Sequence, residues 1–151
     1  MILKIADFGE LTRHYYKYKE GLDKIEEEKN KILGIIQPIK TEINSIITQS
    51  SSGLIVNNQT KENLSIRFEE QKKELLKIDN EFKLKVREMS SNLNEVCYND
   101  LEKIITEWSI ENNIDMVIGK MEVVYNKPEL EITDKILDIL KDKNFYIDFK
   151  N

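Results

Sequence analysis

LTRHYYKYKEGLDKIEEEKNKILGIIQPIKTEINSI, residues 11–46, decides how the rest of the chain must fold. Apolar or aromatic side chains recur at Leu11, Tyr15, Tyr18, Leu22, Ile25, Ile32, Ile36, Ile39, Ile43 and Ile46 in steps of three and four, with Lys29 the one charge in the row. That period places them along one seam of an α-helix for about five heptads. At about 1.5 Å per residue the helix runs on the order of 55 Å, longer than the core of a compact domain of this size can cover. It must project, and it needs a second helix to cover its seam. Pro38 lies inside the pattern, where it removes one backbone hydrogen bond and crowds the preceding turn. The apolar period resumes beyond it, which predicts a kink and not an end.

Working outward, Thr48-Gln49-Ser50-Ser51-Ser52-Gly53 and then Asn57-Asn58 form the first loop-like stretch, a hairpin tip at about 48–59. Thr60 is the expected N-cap of a second helix from about Lys61 to Asn112, with Asn63 where a capping box prefers Glu. Its seam reads Leu64, Phe68, Leu75, Ile78, Phe82, Val86, Met89, Leu93, Val96, Leu101, Ile104 and Trp108. Gln71 interrupts it, and two successive steps of four through Phe82 to Val86 make a stutter at which the coil should be loose. The helical hairpin thus covers about 9–112.

The two ends of the chain read differently. Residues 1–7 are a short strand, and 114–118 with 121–125 read as a β-hairpin turned at Gly119-Lys120. Thr133 is placed to cap a short helix at about 134–141 with Ile136, Leu137 and Leu140 on its inner face. The tail, 142–151, contains Phe145-Tyr146-Ile147-Asp148-Phe149 and suits a strand or a partner-binding segment. Antiparallel helices joined at a tip bring both ends to one base, where a three-stranded sheet follows. The fold class is mainly α with a small β body, a single domain carrying a long antiparallel coiled-coil hairpin. Such a sheet buries little by itself, and isoleucine at repeated seam positions favours three or more strands, so homo-oligomerisation is expected.

Composition narrows the function. With 28 acidic and 23 basic side chains the net charge is −5, against a chain built to neutralise nucleic-acid phosphates. Cys97 is the single cysteine and His14 the single histidine, so no intramolecular disulfide, Cys/His metal set or cofactor site is expected. The carboxylates of Glu26-Glu27-Glu28 and Glu69-Glu70 fall on solvated helix faces without pocket-forming sequence nearby, and the expectation is no enzyme activity. No stretch approaches about 18 consecutive apolar residues, so no membrane span is expected. The opening MILKIADFGE lacks the parts of a signal peptide. That reading places the protein in the cytoplasm if Met1 is the native start, and in the periplasm if the numbering follows signal removal.

The opening LKIADFGELTRHYYKYKEGLDKIEEE resembles the start of mature Skp/OmpH chaperones, and IDMVIGKMEVVYNKPELEITDKILDIL resembles that family's closing strand, turn, strand, proline and "ITD" helix start. The resemblance implies a homotrimer whose β body holds three helical hairpins around an unfolded client, acting as a holdase without ATP. Many weak contacts without one fixed pose suit that task. The acidic balance and the opening depart from the exported, often basic bacterial members and suit a cytoplasmic or phage-encoded relative. Client-facing candidates are the apolar side chains left over from the seams: Ile35, Ile47, Leu54, Ile55 and Leu84. Oligomer-body candidates are Ile5, Val117, Val123, Val124 and Tyr125. The alternative is a structural or scaffolding coiled coil that binds one specific partner.

Overall fold

The switch from extended to helical pattern at Asp7 separates the first two elements, and a computed structural model, which describes residues 1–54 and 57–142, shows what each becomes. Strand β1 (Leu3–Ala6) leads into α1 (Phe8–His14) and the long α2 (Tyr16–Ser51). After the tip come α3 (Asn58–Glu111), β2 (Met116–Gly119) and α4 (Thr133–Lys141), with 3₁₀ turns at Lys120–Glu122 and Pro128–Leu130. The fold is mainly α with a small β body, as the sequence indicates. Two compact units divide the chain: residues 1–23 with the chain from 90 onward, and residues 24–89. The expected tail strand after residue 142 lies outside the described residues.

In the first unit, β1 pairs with β2 in parallel, Leu3 opposite Met116 through Ala6 opposite Gly119. The expected β-hairpin is not formed. Beyond Gly119 the chain coils, Val123 N–H donating to the Lys120 carbonyl at 3.1 Å, and residues 121–125 turn away from β2. The other edge of β1 is taken instead by a bridge from Ile5 to Glu131, with Ile132 N–H donating to the Ile5 carbonyl at 2.9 Å. Sequence proximity favoured a hairpin, but both edges of β1 were filled by segments more than a hundred residues away.

The helices of this unit meet around Leu11, Leu101, Ile104, Ile132 and Ile136, all buried. Burying each such side chain is worth about 1.5–3 kcal/mol. Ile136, Leu137 and Leu140 form the inner face of α4 as expected, whereas Thr133 is the first residue of the helix and not its cap. Its hydroxyl accepts the Asp7 N–H at 2.9 Å, while the Asp7 carboxylate accepts the Glu10 N–H at 3.0 Å and caps α1. Asp7 therefore ends β1, starts α1 and holds α4. A second departure lies at Tyr15, where the continuous helix expected from Leu11 breaks: its backbone is extended (φ −79°, ψ 128°) and its ring is buried. No glycine or proline marks that break, so periodicity ran straight through it.

Leu22 was placed on the seam, yet it is 45% exposed. Gly21 takes its place, so close to α3 that a Cβ there would lie 2.2 Å from Leu93 Cδ1. Likewise Val96 is half exposed and Cys97 is fully buried, because the row continues from Leu93 in steps of four to Cys97 and Leu101.

The second unit is the antiparallel pair formed by the rest of α2 and the first part of α3, with Glu28 paired to Lys85 and Glu42 to Arg67. Ile25, Ile46 and Leu64 are buried, and Ile32, Ile36, Ile39, Ile43, Phe68, Leu75, Ile78 and Phe82 are half-buried, so the predicted seam is the one that packs. Lys29 is exposed, and Glu28 holds the seam position instead. Steps of three and four are equally helical, and on the packed side Glu28 pairs with Lys85. α2 stays helical through Pro38. The tip turns through Gly53, whose φ of +66° is the left-handed region glycine enters freely. Asn57, not Thr60, opens α3, its Oδ1 accepting the Gln59 N–H at 2.9 Å. Asparagine ranks above threonine at that position.

Gly21→Ala tests the close approach. Alanine adds up to about 1 kcal/mol of helix propensity, but a displaced Leu93 should outweigh it, giving net destabilisation of about 1–2 kcal/mol. Thermal unfolding should show that loss in the single variant and a much smaller effect of the same change in a Leu93→Ala background.

Candidate functional site

Two surfaces and one polar cluster stand out. The first surface lies on the first unit, where a groove of about 610 Å³ is lined by Phe8, Tyr98, Ile105, Ile110, Met116 and Met121. Phe8 and Tyr98 stack with ring centroids 5.4 Å apart. Met121 in that lining is 95% exposed, and Val124 and Tyr125, three and four residues further along the chain, are 106% and 81% exposed. Large apolar side chains left in water are the kind of surface a partner can cover. Of the body candidates, Val117 lines the groove and is half-buried, Val123 is half-buried, and Val124 and Tyr125 are exposed. Ile5 leaves the set, because at 2% exposure its side chain is already covered by its own chain. Tyr98, Ile110, Met116 and Met121 were missed. Ile110 and Tyr98 sit off the predicted seam, the signal that could have found them.

The second surface is on the hairpin unit. Ile35, Ile47, Leu54 and Leu84 are all half exposed or more, and Leu33, Ile66 and Leu76 join them. Ile55 lies outside the described residues. Ile47 lines a groove of the hairpin unit, shared with Leu64 and Phe68. Ile35 and Leu84 stand on the helix surfaces without reaching it.

The polar cluster sits at the Tyr15 break. Tyr15 Oη donates to Asp100 Oδ2 at 2.6 Å, and Lys17 Nζ meets the same oxygen at 2.5 Å. Burial pushes the Asp100 carboxyl up, but the two hydrogen bonds and the Lys17 charge outweigh it and hold the group below its usual range. Burial, with the hydrogen bond to Asp100, raises Tyr15 far above the ordinary phenol range, and the bond to Asp100 raises Lys17. Burial also raises the Cys97 thiol, which has none of the depressed pKa of a reactive cysteine. His14 is exposed in the last turn of α1. These groups do not form a nucleophile and base pair. They fix the α1–α2 break against α3.

The family model described as "Outer membrane protein (OmpH-like)" matches residues 4–140. The chain belongs to the OmpH-like family. No curated protein matches the chain. The matched span takes in both units, the polar cluster and both apolar surfaces. OmpH-like membership points to a chaperone-type role, in a family of non-enzymatic chaperones. No helix among the described residues is long and apolar enough to cross a membrane.

In this OmpH-like chain the Asp100 cluster predicts a pH dependence. The folded-state pKa of Asp100 is lowered, so its contribution is present above the ordinary carboxylate pKa and is lost as pH falls through the lowered value. Lys17 and Tyr15 are raised, so theirs is present below their unfolded values and lost on the alkaline side. Asp100→Asn should lower stability at neutral pH by about 1–2 kcal/mol, discounted for partial exposure. Thermal unfolding should also show the variant losing less than the parent on acidification below about pH 4.

Proposed function

We propose that the chain is an ATP-independent holdase, a homotrimer that binds unfolded polypeptides along its helical hairpins. The observation that carries this reading is the OmpH-like match over residues 4–140 together with large apolar side chains left exposed in each unit. The surface around Met121, Val124 and Tyr125 serves assembly, because a two-stranded sheet with four residues in each strand buries little and leaves those side chains in water. The hairpin surface serves clients. Leu84 amid charged residues, and Ile35, Ile47 and Leu54 amid uncharged ones, supply separate apolar contacts, which suits weak binding at many points and disfavours one rigid pose. Contacts of this kind need neither nucleotide nor metal.

Promiscuity is the decisive property. The purified chain, without ATP, should keep several unrelated urea-unfolded proteins from aggregating on dilution, whereas a scaffold for one partner would leave them to precipitate. Light scattering should give a mass near three times 17.8 kDa. Val124→Asp should shift that mass toward the monomer, since a carboxylate buried against a neighbour is strongly unfavourable. Ser51→Asp, on the exposed end of α2, should leave the mass unchanged. A parent monomer, or a Val124→Asp variant that assembles like the parent, would contradict the assignment of the assembly surface.

A further inference from the structure

The distal part of the hairpin differs chemically from everything around it. From Ile43 to Thr60 there is no Asp, Glu, Lys or Arg, a run of eighteen residues in a chain that is 34% charged. In place of charge the run carries serine, threonine, asparagine and glutamine among isoleucines. The end of α2 and the start of α3 enclose a groove of about 470 Å³ within the hairpin unit. Ile47, Leu64 and Phe68 give it apolar walls, Ser51 and Ser65 give it hydroxyls, and Lys61 is the one charge in the lining. Ile46 and Leu64 are buried, while Ile47 stays half exposed. The volume lies in the range of sites that take a few side chains, about 300–1,000 Å³.

Desolvating a charged side chain is far more unfavourable than desolvating a hydroxyl or amide that finds a hydrogen-bond partner. A segment cleared of charge is therefore suited to being covered by something uncharged. The hydroxyls narrow the occupant further. Ser51 Oγ donates to the Ile47 carbonyl at 2.9 Å and keeps lone pairs able to accept an N–H. An unfolded polypeptide presents apolar side chains and unpaired backbone N–H and C=O groups at once. A folded protein has already paired its backbone, and a lipid interior has no such groups to offer.

We propose that this groove is a capture site for uncharged, apolar-rich stretches of unfolded client polypeptide. Client side chains seat between Ile47 and Phe68, and the client backbone hydrogen-bonds to the serine hydroxyls. This deepens the holdase reading and rests on it: clients are first selected for lack of charge, at the distal end of the hairpin. Binding here is apolar and short-range, so it is insensitive to salt, unlike binding through ion pairs.

The test follows the isoleucine and leucine methyl resonances of the full-length protein while a short, unfolded, uncharged apolar peptide is added. A peptide of equal length with alternating Glu and Ser is the control, and zwitterionic vesicles are a second control. The apolar peptide should shift Ile46, Ile47 and Leu64 first, with an affinity that changes less than about twofold between roughly 0.05 and 1 M salt. Ile47→Glu should weaken that binding at least about tenfold, while Leu84→Glu, equally exposed but outside the groove, should not. Shifts that centre on other methyls, equal binding of the acidic peptide, no response to the apolar peptide, or the same shifts from vesicles would each overturn the site. The separate aggregation assay with unrelated unfolded proteins decides the holdase reading, so a lost site and a lost function give different patterns.

Discussion

Everything in this chain follows from the need to cover an isoleucine-rich helical seam that is too long for a globular core. Ile25, Ile32, Ile39 and Ile46 recur every seven residues, and only another helix of comparable length can keep them from water together. α3 supplies that cover by returning antiparallel to α2, with Glu28 against Lys85 and Glu42 against Arg67. The return also explains how Leu3–Ala6 can pair with Met116–Gly119 although more than a hundred residues separate them. The helix pair buries Ile25, Ile46 and Leu64 but leaves Ile32, Ile36, Ile39 and Ile43 half-buried, and the two-stranded sheet adds little burial. On the proposed reading, such a chain is completed by other chains, its own copies or its clients.

The seam, the tip, the short terminal strand and the inner face of α4 were legible because each is a local rhythm of apolar residues. What the rhythm could not decide was the choice between equivalent steps. Gly21 and Glu28 take the packed places expected for Leu22 and Lys29, Gly21 close against Leu93 and Glu28 paired with Lys85, and both are tertiary facts. The break at Tyr15 was invisible for the same reason. Its hydroxyl reaches Asp100, eighty-five residues on, and no local breaker announces it. The β-hairpin at 114–125 was the largest miss, since a glycine between two apolar runs is a sound local signal. Competition from Glu131 and Ile132 for the edge of β1 redirected the sheet.

The candidate surfaces were legible in part. The apolar residues off the seam at Ile35, Ile47, Leu54 and Leu84 are exposed, and Val124 and Tyr125 are almost fully open to solvent. Ile5 lies in the β body as expected but is buried within its own chain, and a strand residue looks the same in sequence whether its own chain or a neighbour covers it. The two surfaces also differ in kind. The body face combines aromatic and methionine side chains around one groove, whereas the hairpin presents Ile35 and Leu84 singly on its helix surfaces and Ile47, from a charge-free stretch, at a groove. That division is what the proposed function asks for, firm self-assembly at the body and loose holding of other chains along the hairpin.

The central claim is that several copies hold one client that stays unfolded. Native mass spectrometry of the protein mixed with a single urea-unfolded client, combined with hydrogen exchange on that client, tests it most directly. The account predicts a complex of three chains and one client, with client amides exchanging nearly as fast as in the free unfolded chain. A client that binds only when folded, or a complex in which its amides become strongly protected, would contradict the account and favour a scaffold for one defined partner.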